Sequence, residues 1–214
     1  VIERIAWALE QGVREFQLSF PAWARLNDAE VDRFFAETCG RFSEACFLHY
    51  NLPRAGRVLT GVDYARLARC HPNLVAIKMG GENLAALEEV ARAAPCLRCF
   101  FTEFAYMALH DRTDCGLLCA LGACDPRLAC RLFEAASEPE RRGLEPVFRA
   151  LHAAAKDALG SRAHIDGAYD KMYLKLNYTD FPLRLLPPYL GASEARFREF
   201  QNRCREILSD RIPS

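Results

Sequence analysis

Five short apolar runs, each followed by a stretch of helical period, constrain this chain more than any other feature. Residues 15–20, 45–50, 74–79, 97–102 and 116–121 read as strands. Helices are expected over Ile2–Gly12, Ala29–Phe42, Thr60–Cys70, Asn83–Ala94 and Phe104–His110, and again after Asp125-Pro126. Asn27-Asp28 supplies an N-cap for the second of these, and Pro95 stops the fourth. Strands that alternate with helices over short connections imply a parallel sheet with helical crossovers, an α/β fold. After Ala136 the strands stop. Pro139–Leu159, Ile165–Tyr178 and Ser193–Ser209 read as helices, separated by Gly160 and by the Pro-rich stretch 181–189. Two regions follow: 1–136, built of β/α units, and 137–214, helical.

Charge and cysteine usage narrow the partners. Lys and Arg balance Asp and Glu at 28 each, so nothing favours nucleic acid or an anionic membrane surface. No apolar run reaches membrane-spanning length. The opening residues Val1 to Gly12 read as an amphipathic helix and not as a signal peptide. With no initiator Met, the sequence is expected to lack the N-terminal part of a longer protein. The 10 cysteines sit mostly in apolar contexts such as Ala45-Cys46-Phe47 and Leu118-Cys119-Ala120, where free Cys acts as a small hydrophobe. Cys96 and Cys99 have metal-ligand spacing but open a strand, and Cys115, Cys119 and Cys124 are irregularly spaced with no adjacent His. A zinc module is the weaker reading, no metal or cofactor is expected, and a reducing cytoplasm is the expected setting.

The run Asn73-Leu74-Val75-Ala76-Ile77-Lys78-Met79-Gly80-Gly81 carries the chemistry. Only 4 of the 28 basic residues are Lys, and one of them, Lys78, stands inside a strand. Arg keeps its proton in proteins, whereas a desolvated Lys can lose it and become a nucleophile. A strand-end lysine reaching out to water is the alternative. Alternation puts Cys46, Leu48 and Tyr50 on one face of their strand, and Leu74, Ala76 and Lys78 on one face of the next. If the two strands are neighbours and those faces agree, a phenol and an amine project into one cavity at the carboxyl ends of the strands, where α/β proteins bind ligands. Alone, Tyr50 reads first as a core aromatic with its hydroxyl near water.

His49-Tyr50-Asn51-Leu52-Pro53-Arg54-Ala55-Gly56, followed by Asn73-Leu74-Val75-Ala76-Ile77-Lys78, resembles the dihydrodipicolinate synthase / N-acetylneuraminate lyase family of pyruvate-handling class I aldolases. That family's pattern is Tyr-Asn-x-Pro, a turn, a helix and an apolar strand ending in Gly-Ile-Lys. The step of 28 residues from Tyr50 to Lys78 suits it. Gly81-Glu82-Asn83-Leu84 opening a helix, the run Gly116 to Ala120, and Asp125-Pro126 are also similar. The resemblance implies a (β/α)8 TIM barrel with a C-terminal helical appendage. By its register, strands four to eight are present here and the N-terminal third is missing. It implies a carbon–carbon lyase in which Lys78 forms a Schiff base with a 2-keto acid, pyruvate being product or substrate, and Tyr50 relays protons. Arg54 would meet a substrate carboxylate. Glu103 would contact the distal part of the substrate, and the backbone carbonyl of Leu118 would face the site. The family also implies a homo-oligomer, commonly a tetramer.

Departures mark a divergent member. Where the synthase branch has a tyrosine pair, this chain reads Phe20-Pro21-Ala22-Trp23. Met79 stands where an acidic residue often follows the lysine, and Ala55-Gly56 replaces the Thr-Gly turn one residue early. With the family's carboxylate-binding loop lying in the missing portion, the 214-residue piece alone is expected to be inactive. A catalytically impaired homologue, kept as a binding or assembly protein, is the second expectation.

Overall fold

A computed structural model describes residues 1–81 and 83–209; Glu82, within the Gly81–Leu84 stretch noted above, lies outside the described residues. Five strands, β1 (Glu15–Leu18), β2 (Cys46–Tyr50), β3 (Leu74–Met79), β4 (Arg98–Thr102) and β5 (Cys115–Leu118), form one sheet in the order β1-β2-β3-β4-β5. Every pairing is parallel, as the alternation requires. The intervening helices are α1 (Ile2–Glu10), α2 (Asp28–Glu37), α3 (Gly61–Cys70), α4 (Leu84–Ala93) and α5 (Glu103–Leu109). The chain divides into two compact units, Val1–Leu118 and the segment from Cys119 onward.

Several elements are shorter than the sequence suggests, α2 and β5 most notably. Helix α2 ends at Glu37, not Phe42. Beyond it, Asn73 places its side-chain amide within 3.0 Å of the carbonyls of Cys39, Phe42 and Ala45, so a non-helical turn there is satisfied from the start of β3. Strand β5 stops at Leu118, its last pairing being with Thr102, and Leu121–Ala123 forms a 3-10 turn.

Capping places the helices of the first unit. The Asn27 side chain accepts from the Glu30 N–H at 3.0 Å, and the Glu30 carboxylate accepts from the Asn27 N–H at 2.8 Å. Thr60 and Asp63 repeat this capping box at α3. The Glu89 carboxylate of α4 also accepts from the Gly61 N–H at 3.0 Å, tying the start of α3 to its neighbour. A Cβ at Gly61 would lie 2.5 Å from that carboxylate, so the clamp depends on glycine.

The second unit holds α6 (Pro126–Glu134), α7 (Glu138–Leu159), α8 (Asp166–Asn177) and α9 (Glu194–Ser209); α8 and α9 pack against the long α7, and α6 packs against the 3-10 turn Leu121–Ala123. Phe148, Leu151, Tyr173 and Phe200 are buried there. Arg141 is buried with them and donates to the Ala135 carbonyl at 2.8 Å. Among the described residues no helix is long and apolar enough to cross a membrane, and no three His, Cys, Asp or Glu side chains are grouped to hold a metal. Cys96 is exposed while Cys99 is buried, as expected of near neighbours on a strand and its lead-in.

One polar pair lies deep in the helix-facing core of the first unit. His49 is buried among Phe20, Phe34 and Phe35, and its Nδ1 lies 2.7 Å from the Tyr64 hydroxyl of α3. Its Nε2 has no partner among the described residues. Burial lowers the His49 pKa from its ordinary 6.5 to about 3. The unfolded chain therefore takes up a proton below pH 6.5 that the folded chain refuses. Stability contributed by the neutral ring is complete above that pH and is lost as pH falls toward about 3. The slope from this one group is at most about 1.4 kcal/mol per pH unit. Thermal melts from pH 7 down to pH 4 should show a falling Tm, and the fall should be shallower in the double variant His49→Leu/Tyr64→Phe. Equal slopes would show that His49 does not titrate on unfolding.

Candidate active site

The pairing of β2 with β3 sets the site. Tyr50 lies opposite Lys78, His49 opposite Ile77, and Leu48 opposite Ala76. The register then shifts: Phe47 lies opposite Leu74, so Val75 is an extra residue on β3. The simple alternation that grouped Leu74 with Ala76 and Lys78 is corrected here, because the shift puts Leu74 opposite Phe47 of the buried, helix-facing side. From Ala76 onward the alternation holds. Phe47, His49 and Ile77 face the helices and are buried, while Leu48, Tyr50 and Lys78 are half-buried on the other face.

The amine and the phenol ring meet. The Nζ of Lys78 lies 4.2 Å from the centroid of the Tyr50 ring. Among the described residues no carboxylate lies within ion-pairing distance of that nitrogen. An ammonium over an aromatic face is attracted by the ring quadrupole, worth about 0.5–1 kcal/mol at a partly exposed site. The side chain therefore leans along the sheet toward β2 instead of extending to bulk water.

Asn51, which the sequence singled out only as part of the run after Tyr50, locks this corner. Its N–H donates to the Lys78 carbonyl at 3.0 Å, continuing the β2–β3 ladder past Tyr50. Its side chain is buried, donates to the Leu59 carbonyl at 2.9 Å and accepts from the Leu59 N–H at 2.9 Å. That pair of hydrogen bonds closes the loop from Leu52 to Val58. Within it, Pro53–Ala55 forms a 3-10 turn that carries Arg54, exposed, and Gly56 ends it at φ +77°, a conformation suited to glycine. Gly56 also packs on Arg25, whose Cβ would lie 3.5 Å from a Cβ there.

The remaining expected residues sit at the same end of the sheet. Glu103 opens α5 directly after β4 and is buried. A carboxylate in a first helical turn meets the positive end of the helix dipole. Leu118 ends β5 opposite Thr102 and is half-buried. Of the Phe20-Pro21-Ala22-Trp23 segment, Phe20 turns into the helix-facing core against His49, while Trp23 is 96% exposed. Sequence reasoning passed over Phe100 and Gly116. Phe100 lies opposite Lys78 on one side and opposite Gly116 on the other. A strand residue paired with the lysine was the available signal, but it needed the β3–β4 register.

No family profile and no curated protein sequence matches the chain. Solved structures do. YagE, a prophage protein of the dihydrodipicolinic acid synthase family from E. coli K12 solved with pyruvate, superposes with TM-score 0.81 at 16% identity, over 97% of this chain and 70% of that one. KD(P)GA from T. tenax gives TM-score 0.78 at 18% identity, over 98% and 72%. Dihydrodipicolinate synthase from Thermotoga maritima gives 0.76 at 17%, over 96% and 70%.

The Asn51 clamp makes a direct prediction. Asn51→Leu leaves the buried N–H and C=O of Leu59 unpaired, at about 1–3 kcal/mol for each group. Urea unfolding should show a loss in that range or above it, with the Leu59 amide exchanging faster in the folded state. An unchanged midpoint and unchanged exchange would show that the loop is held otherwise. A parallel sheet in sequential order and these superpositions lead to one conclusion: the chain has five sequential β/α units and a helical region with the fold of the matching part of the dihydrodipicolinate synthase family barrels.

Proposed function

We propose that the chain is a divergent member of that family, spanning about 70% of the length of its solved relatives, and that its site is a Schiff-base lyase site for a 2-keto acid. Residues 1–136 correspond in this reading to the barrel's last five β/α units, and 137–214 to its helical appendage. The single observation that supports it best is the Lys78 nitrogen over the Tyr50 ring at the carboxyl ends of adjacent strands. It is the arrangement that amine–carbonyl chemistry needs: a nucleophile beside a group that moves protons.

The chemistry follows from those groups. The Lys78 nitrogen attacks C2 of the keto acid, and the carbonyl oxygen becomes the hydroxyl of a carbinolamine. Tyr50 gives that hydroxyl a proton, water leaves, and a C=N⁺ bond remains. In a 4-hydroxy-2-keto acid, Tyr50 then takes the proton of the C4 hydroxyl. The C3–C4 electron pair moves to C3 and into the C=N⁺ bond, releasing an aldehyde and leaving an enamine. Protonation at C3 and hydrolysis return the amine and pyruvate. Arg54, on its clamped loop, meets the substrate carboxylate; Glu103 and the Leu118 carbonyl border the distal side.

Borohydride treatment with pyruvate should convert Lys78 into a stable secondary amine, seen as one added pyruvyl group by intact mass and located by peptide mapping. Lys78→Ala should abolish the adduct. Tyr50→Phe should slow its formation about a hundredfold, the scale of one lost proton-transfer group. An unmodified Lys78 in the intact, full-length protein would overturn the lyase reading in favour of a non-catalytic homologue.

A further inference from the structure

We infer that Thr102 is a further substrate-binding residue of the Lys78 site, its hydroxyl placed to hydrogen-bond an oxygen of the bound keto acid. This rests on the Schiff-base reading of Lys78 and adds a residue to that same site.

The first observation is a helix cap that is not made. Asn27, Thr60, Asn83, Asp125 and Ser137 each accept a backbone N–H at the start of their helices. Helix α5 also opens on a residue of capping type, Thr102, whose backbone is extended at φ −66° and ψ 163° as a cap requires. Its side chain does not cap, and among the described residues its hydroxyl has no hydrogen-bond partner. A threonine in this position ordinarily satisfies one of the free N–H groups of the first turn. Here the hydroxyl is withheld from that task.

The second observation is where the side chain goes instead. Phe100 pairs with Lys78, and Thr102, two residues on, pairs with Leu118. Alternation therefore puts Thr102 on the lysine's face of the sheet, one step nearer the carboxyl ends. There it leans across to the end of β3. A Cβ built on Gly80 would lie 2.8 Å from Thr102 Cγ2 and 3.3 Å from its Oγ1. Gly80 has no positive φ, so its backbone does not call for glycine. What the missing side chain provides is room for the threonine.

The two observations meet beside the lysine. The Lys78 nitrogen leans toward β2, over the Tyr50 ring. The Thr102 hydroxyl lies over the outer end of the lysine's own strand, on the β4 side. Phe100 beneath it and Leu118 beside it carry no polar side-chain atom. Thr102 is half-buried, and a hydroxyl both donates and accepts. It suits a carboxylate or a hydroxyl oxygen of a molecule carried on the lysine nitrogen.

The test is reductive trapping on the intact, full-length protein over a range of keto-acid concentrations, with pyruvate and with 4-hydroxy-2-oxobutanoate. The amine and the ketone lose water to give the iminium, and cyanoborohydride supplies the hydride that fixes it. Total adduct on Lys78 is read by intact mass and peptide mapping. Thr102→Val keeps the shape and removes the hydroxyl. It should raise the half-saturating concentration about tenfold, the scale of one lost hydrogen bond to a charged or buried group. Its Tm should stay at the wild-type value, because no cap is lost. Thr102→Ser should bind as the wild type does. Gly80→Ala should reproduce the loss by driving the threonine methyl group aside, and Gly80→Ala/Thr102→Ser, which lacks that methyl group, should recover. A loss for both keto acids puts the contact at the carboxyl end they share. A loss confined to the hydroxy acid puts it at the C4 hydroxyl, and either supports the inference. An unchanged half-saturating concentration in Thr102→Val, or a loss matched by a falling Tm, overturns it while leaving the lysine's role standing. Absence of any wild-type adduct on Lys78 overturns both.

Discussion

The register between β2 and β3 is the constraint on which the rest depends. Parallel strands fix which side chains share a face, and a slip of one residue would send the lysine into the helix layer. Tyr50 opposite Lys78 is secured at both ends of the pairing. At the top, the Asn51 N–H donates to the Lys78 carbonyl and the Asn51 side chain holds Leu59. At the bottom, the extra residue Val75 absorbs a mismatch before it reaches the functional end. Behind the sheet, the His49–Tyr64 hydrogen bond ties the residue next to Tyr50 to α3, and α3 is in turn capped by Glu89 of α4.

That His49–Tyr64 pair illustrates what buried polar contacts do for a site. A leucine at position 49 would pack against Phe20 and Phe35 without a desolvation cost. The histidine is less comfortable there, as its lowered pKa and its unpartnered Nε2 show. It brings direction in exchange, since a hydrogen bond of 2.7 Å specifies one height and one rotation for the end of β2, while apolar packing tolerates several.

Much of this was legible in the chain. The β/α alternation specified a parallel sheet because hairpins need short turns between strands and this sequence has helices there. Lys78 stood out because a chain rich in arginine placed a lysine in a strand, and Tyr50 because it ends the preceding strand and opens the Tyr50-Asn51-Leu52-Pro53 run. What the sequence hid was set by partners distant along the chain. The end of α2 at Glu37 depends on Asn73, some way downstream, accepting the task of satisfying the turn's carbonyls. The bulge at Val75 needs the register of β2 against β3, and alternation alone put Leu74 on the wrong side. Phe100 and Gly116 read as ordinary strand residues until the registers set Phe100 beside Lys78 and Gly116 beside Phe100.

The central claim is that the Lys78 amine rests on the Tyr50 ring at the strand ends. With only 4 lysines in the chain, ¹³C-methylation of their amines gives a spectrum simple enough to assign by Lys78→Arg. A nitrogen 4.2 Å above a ring centroid carries its methyl groups through the shielding region of that ring. The account predicts an upfield ring-current shift for the Lys78 methyl signal that persists in Tyr50→Phe and disappears in Tyr50→Leu. A Lys78 signal unmoved by Tyr50→Leu would contradict it.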